Sequence, residues 1–253
     1  MRNGQAKPKI SYVAAWIVYD MGNTLFFTGI VGLLFPLWVT TIMGGNDATI
    51  AFALSIAMSI TLVIAPVIGA LSDQLGVRTP FLTISTLVCI AATTAMGVDN
   101  LLFALTLFVI ALIAIHTADI FYNAMLRNVS SEESVGKIGG LGVGLGYFGA
   151  IIAVVVSLIF TETQGYVFSF RIIALLFLCF SMPLMILGRE TRVKDSNGGL
   201  LQSAPRALTQ LIGTLHAIRS CPGLTRFLLA RFWYMWAINT SSAFAVLYGT
   251  ETV

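Results

Sequence analysis

"MGNTLFFTGIVGLLFPLWVTTIMGGN", residues 21–46, contains no Asp, Glu, Lys or Arg. An α-helix rises about 1.5 Å per residue, so roughly 20 mostly apolar residues cross the ~30 Å hydrocarbon core of a bilayer. This stretch is long enough, and it is one of a series. Residues 48–72, 79–98, 100–118, 138–161, 172–188 and 232–250 are also free of charge. A buried helix of a soluble protein could imitate one such run, but not seven in succession. The whole chain agrees: 57% of its 253 residues are hydrophobic, 10% are charged, and the mean hydropathy is +0.91. Soluble domains carry about 25% charged residues. The expectation is an all-α, multi-pass integral membrane protein with helices near 13–43, 48–71, 79–98, 100–126, 137–161, 166–188 and 226–249.

Charge orients the helices. If the N-terminus is cytoplasmic, every Lys and Arg except Arg171 and Arg231 lies at the cytoplasmic side, while Asp47, Asp99 and Glu162 fall in outer loops. That is the positive-inside pattern, and the net charge of +3 reports orientation. The basic residues are not clustered with exposed aromatics, which argues against a nucleic-acid partner. The opening "MRNGQAKPKI" has the charge of a signal peptide, but the apolar run after it is too long and lacks a small-residue cleavage site. It reads as an uncleaved first span in a bacterial inner membrane. The three cysteines, Cys89, Cys179 and Cys221, form no metal or disulfide pattern, and no cofactor is expected.

After the sixth run comes the longest polar stretch, residues 189–225, rich in charge, Gly, Ser and Pro. It divides the chain into a six-helix bundle (1–188), a cytoplasmic linker (189–225) and one further span (226–253). Within the linker, Leu208, Leu211, Ile212, Leu215 and Ile218 recur at helical spacing, which predicts a short amphipathic helix on the membrane face. Between the second and third spans stands "GALSDQLGVR", Gly69 to Arg78. It resembles the loop signature of major facilitator transporters, which implies a gating role for Asp73 and Arg78, with Asp73 as a cap or ion-pair partner and Arg78 as an interface anchor. The basic cluster that usually follows is reduced here to Arg78. Four further pieces follow in order: "WIVYDMGN" in span one, "FYNAML" in span four, a glycine-rich segment through "GYFG" in span five, and "FLLAR" in span seven. Together they resemble the unknown-major-facilitator family, which includes vacuolar amino-acid effluxers of fungi and bacterial permeases. The resemblance implies an alternating-access secondary transporter of small polar solutes, amino-acid efflux among them. It also implies a second six-helix half, supplied by a longer chain or a second copy. Such halves contain two three-helix repeats. The sequence supports them weakly: Asp then Asn recurs in "YDMGN" and "ADIFYN" at unequal spacing.

Ionisable groups within a membrane usually face a cavity or a partner. Asp20, Asp119 and Arg231 fall about 8–12 Å from the cytoplasmic ends of spans one, four and seven, counting ~1.5 Å per residue. The resemblance places these three spans around a central cavity, so Arg231 is expected to gate by pairing with Asp20 or Asp119; the alternative is two carboxylates that brace the first half internally. Trp16, Asp20, Asn23 and Phe27 share one face of span one, and His116, Asp119, Tyr122 and Asn123 share one face of span four. Such stripes suit a zwitterionic or cationic solute. His116 is either a proton carrier or a histidine bonded to a backbone carbonyl.

"GLGYFG", Gly144 to Gly149, spells a dinucleotide fingerprint, yet no strand precedes it and residues 163–170 hold no acidic partner. The meaningful interval is four. Gly136, Gly140 and Gly144 form one row, and Gly142, Gly146 and Ala150 another, with Gly149 completing the motif. Small residues at that interval let membrane helices approach closely. No phosphate-binding loop or H-E-x-x-H spacing occurs. A non-enzymatic transporter is the leading expectation; a half-transporter acting as an assembly or sensor protein and a membrane-embedded acid–base enzyme are the alternatives.

Overall fold

The computed structural model describes residues 10–75, 78–130, 134–188 and 223–252. They form seven helices and, among the described residues, no strand: α1 Ile10–Thr41, α2 Asp47–Leu75, α3 Thr79–Ala95, α4 Leu101–Val129, α5 Val135–Gln164, α6 Tyr166–Leu187 and α7 Leu224–Thr252. Five are long and apolar enough to cross a membrane: α1, Asp47–Gly69 of α2, Leu101–Leu126 of α4, α5 and α6. Apolar α3 has 17 residues. It is shorter than expected because Met96 turns extended and Gly97 takes φ +106°, closing the helix early. An added Cβ at Gly97 would lie 2.6 Å from a methyl of Val167, so this turn needs glycine on both counts. A single residue, Gly165 at φ +84°, joins α5 to α6. The expected amphipathic helix around Leu208–Ile218 lies outside the described residues.

α1 is not uniformly α-helical. Phe27–Leu34 is a π-helical stretch, and Pro36 follows immediately in the resumed α-helix. Proline offers no N–H and crowds the carbonyl four residues back, here Gly32. The wider turn before it accommodates both problems. Stretches of this kind gather at functional sites, and this one begins at Phe27, a member of the expected polar stripe.

The six helices of the first bundle pair in a regular way. α1 packs on α5 and α6, and α4 packs on α2 and α3. Exchanging helices one, two, three with four, five, six converts each of these contacts into another, while the α1–α4 and α3–α6 contacts map onto themselves. The α5–α6 contact has no counterpart of similar extent between α2 and α3 among the described residues. Two three-helix units are thus visible in the packing although the sequence repeat is faint. Lipid is as apolar as leucine, so burying apolar area does not by itself draw such helices together; close packing and polar contacts do. The interior follows that rule. One buried cluster around Phe26, Phe35, Phe108, Phe170 and Phe177 fills the middle of the bundle, and a second around Trp16, Tyr19, Phe121, Tyr122 and Leu184 fills the end where α1 begins. Large apolar side chains such as Leu62, Ile84, Leu158 and Ile186 point outward, where a bilayer would meet them.

Candidate functional site

The two polar stripes expected on α1 and α4 face each other. Trp16 stacks on Tyr122 with ring centroids 4.5 Å apart and planes 7° apart. The Asn23 amide nitrogen donates to Asp119 Oδ1 at 2.8 Å. The Phe27 ring lies 5.3 Å from the His116 ring. As numbers rise along α1 they fall along α4, so the helices run antiparallel and the stripes meet in register. The backbones are not in close contact here: α1 lies closest to α5 and α6. Long polar and aromatic side chains bridge the gap to α4.

Within this seam the parts differ in role. Trp16 is buried and donates its indole N–H to the Tyr122 carbonyl at 3.2 Å, so it braces the helices rather than lining open space. Tyr122 is clamped between Trp16 and Tyr19, whose ring centroid is 5.1 Å away. Tyr19 was not singled out by sequence reasoning. It is fully buried and its hydroxyl shares a 2.8 Å hydrogen bond with Thr86 of α3. Its place one residue before Asp20 was the available signal. His116 Nδ1 stands 3.9 Å from Asp119 Oδ2, and both side chains keep about a fifth of their surface exposed, 23% and 22%. Asn123 is exposed and donates its amide to the Asp119 carbonyl of its own helix at 2.8 Å, so it does not enter the seam as expected.

α5 forms the floor. Gly142, Gly146 and Gly149 are buried, and an added Cβ at each would meet α1: the Trp16 ring at 2.7 Å, the Asp20 carboxylate at 2.6 Å, and the Met21 carbonyl oxygen at 2.0 Å. The other row differs. Gly140 and Gly144 have no atom within 4 Å of an added Cβ and are exposed, because they lie on the far side of α5 from α1. They make no helix contact among the described residues, contrary to the expectation drawn from spacing.

The gating residues stand apart from the seam. Arg78, just before α3, donates from Nη1 to the Ala124 carbonyl of α4 at 2.8 Å and so ties the start of α3 to the end of α4. Asp73 falls in the last turns of α2, with its side chain outside the described residues. The N-cap position of α3 is Arg78. Arg231 is exposed on α7 and makes no ion pair with Asp20 or Asp119 among the described residues. The expected pairing is not formed: Asp119 is engaged by Asn23, and Asp20 rests over Gly146.

The chemistry of the seam follows from what is left unsatisfied. Asn23 Oδ1, His116 Nε2 and the Tyr122 hydroxyl are buried and without a hydrogen-bond partner. Such atoms carry a penalty of about 1–3 kcal/mol each unless something bonds to them. Neither Asp20 nor Asp119 has a Lys or Arg within 4 Å among the described residues. The seam therefore offers two carboxylates, one imidazole and two further polar groups to a donor-rich, positively charged guest or to protons. No three His, Cys, Asp or Glu side chains among the described residues converge as metal ligands. An open groove of about 240 Å³ between α3 and α4 is lined by apolar side chains, Ser85 and Thr117, and includes none of the seam's polar residues.

Comparison with known proteins places this geometry. Residues 21–253 match the family model described as the Major Facilitator Superfamily. The chain is 22% identical over 258 residues to a protein of Bacillus subtilis (strain 168) described as an uncharacterized MFS-type transporter, YxiO, covering 94% of this chain and 60% of that protein. It is 29% identical over 175 residues to an uncharacterized protein of Aquifex aeolicus (strain VF5), covering 68% of this chain and 44% of that protein. The chain thus spans about half the length of these relatives. A family match over nearly its whole length, on an all-helical membrane bundle, means that the chain belongs to the Major Facilitator Superfamily.

Proposed function

We propose that this protein is a secondary transporter that moves a small, positively charged or zwitterionic solute, amino acids being the leading class, through a site between α1 and α4. The observation that carries the reading is the pair Asp20 and Asp119, set among apolar helices with no Lys or Arg partner among the described residues and beside three unpartnered polar atoms. Buried carboxylates are tolerated where a counter-charge or proton arrives with function. An ammonium group satisfies the carboxylates, and Asn23 Oδ1, His116 Nε2 and the Tyr122 hydroxyl remain to orient the rest of the solute. The aromatic face of Phe27 adds cation–π attraction. Protons are the natural coupling ion, with Asp119 and His116 adjacent to carry them. The remaining half of the pathway comes from a C-terminal six-helix half or a second copy, and the N-terminus lies on the cytoplasmic side of a bacterial inner membrane. The motifs shared with vacuolar amino-acid effluxers favour export.

The test is counterflow in proteoliposomes containing the full-length protein, preloaded in turn with basic, neutral and acidic amino acids, with and without a pH gradient. The reading expects exchange of a solute bearing an ammonium group, lost in Asp20→Asn. It also expects Asp119→Asn to exchange without driving uphill movement. Exchange confined to anionic solutes, or full activity in both variants, would overturn it.

A further inference from the structure

The glycines of α5 that face α1 are not equivalent. At Gly149 an added Cβ meets backbone, and at Gly142 it meets the Trp16 ring; both are contacts of helix packing. At Gly146 it meets Asp20 Oδ2 at 2.6 Å, with Thr24 Oγ1 next at 3.2 Å. The absent side chain is therefore a notch, and the carboxylate lies in it. Across from the notch stands Tyr122, only 4% exposed, whose hydroxyl lies near Asp20. The notch thus fixes where the Asp20 carboxylate stands relative to Tyr122.

We infer that Gly146 is a positioning residue for the solute site: its missing side chain lets the Asp20 carboxylate lie against α5 and so fixes the place from which that carboxylate meets a solute. This inference rests on the transport reading for the solute, but not for the notch. A methyl at position 146 has to displace the carboxylate from 2.6 Å to ordinary contact at 3.4 Å or more, a shift of at least about 0.8 Å. Misplacement by about 1 Å at a functional site can cost on the order of 100-fold. Gly146→Ala is then expected to weaken solute affinity at least about tenfold while leaving folded yield close to normal, because the obstructing atom ends a side chain that can rotate.

Two measurements on the full-length protein separate this role from simple packing. The first is labelling of Asp20 by the apolar carboxyl reagent dicyclohexylcarbodiimide, quantified by mass spectrometry with Asp119 as internal reference. Gly146→Ala should raise labelling at Asp20 several-fold and leave Asp119 unchanged. Gly144→Ala, whose Cβ meets nothing, should change neither. The second is a double-mutant cycle with Asp20→Ala, read on the unfolding midpoint and on folded yield. If Gly146 acts through Asp20, adding Gly146→Ala to Asp20→Ala has no further effect. Should Gly146→Ala alone fail to fold, the double variant must recover folding, since its clash has been removed. Unchanged labelling, equal labelling changes at both carboxylates, or equal losses from Gly146→Ala in both backgrounds overturn the inference. Altered labelling at Asp20 in a protein that moves no solute would uphold the notch and sink the transport reading.

Discussion

The Asn23–Asp119 hydrogen bond links the two stripes side chain to side chain, and its strength can be predicted. Hydrogen bonds between membrane helices couple by about 0.6 kcal/mol on average and up to about 1.7 kcal/mol. A 2.8 Å contact to a carboxylate oxygen belongs at the strong end of that range. We expect an interaction energy of about 1–2 kcal/mol between Asn23→Ala and Asp119→Ala, roughly 5–30-fold in an unfolding constant, at 1.4 kcal/mol per decade. The single variants cannot report this. Asn23→Ala also deletes an unpartnered buried oxygen, worth about 1–3 kcal/mol in the opposite direction. Asp119→Ala removes an ionisable group from an apolar setting, which also offsets the loss. The cycle cancels both effects. The assay is reversible unfolding of the purified protein in mixed micelles titrated with sodium dodecyl sulfate, followed by tryptophan fluorescence, for wild type, both singles and the double. Asp119→Asn provides the control, because it keeps an oxygen to accept from Asn23 and should retain part of the coupling. Additive singles, within about 0.3–0.5 kcal/mol, would show that α1 and α4 are not joined here and would refute the register of the stripes.

Three further outcomes follow from the packing. Gly149→Ala forces a Cβ to 2.0 Å from the Met21 carbonyl oxygen and must push α5 from α1, so in the same titration it should destabilise by about 1–3 kcal/mol; an unaltered midpoint would mean that the helices are farther apart. Trp16→Ala should lose about 3 kcal/mol or more, since it empties a stacked, buried site. Trp16→Phe should lose only about 1 kcal/mol for the indole hydrogen bond, and equal losses would contradict the stacking geometry. Asn100 caps α4 by accepting from the Phe103 N–H at 3.0 Å, so Asn100→Ala should cost about 0.5–2 kcal/mol and Asn100→Asp almost nothing.

How much of this was legible in the sequence depends on which property of the membrane wrote it. Span positions were readable because a charge within the hydrocarbon is costly, and the uncharged runs at 21–46, 100–118 and 172–188 each lie within or along an observed helix. The stripes were readable because few residues are polar and the helical period places them. Which face meets which neighbour was not. Gly140–Gly144 and Gly142–Gly146 are identical as strings, yet one pair is exposed and the other touches Trp16 and Asp20. With apolar surroundings inside and out, composition does not distinguish a buried face from a lipid-facing one. The π-helical stretch was equally hidden: Phe27–Leu34 has ordinary helix formers and two glycines, and only Pro36 hints at strain. Asn123 illustrates the limit of face counting, since a side chain on the right face can still bond its own backbone.

The internal exchange of three-helix units explains why the candidate site lies between α1 and α4. Under that exchange most helix contacts map onto other contacts, but α1–α4 maps onto itself. That contact is therefore the middle of the arrangement, with α5 and α6 flanking α1 and with α2 and α3 flanking α4. The flanking contacts then set the distance. α5 comes close to α1 over Gly142, Gly146 and Gly149, while buried Ala53 and Ala57 lie on α2, which packs on α4. Small residues at intervals of three or four on both outer helices thus draw α1 and α4 to their respective sides, leaving a gap between them that only side chains bridge. Within a membrane, such a gap suits groups that carry charge or hydrogen-bonding capacity for a guest to meet, and Asn23, Asp119, His116 and Tyr122 supply both.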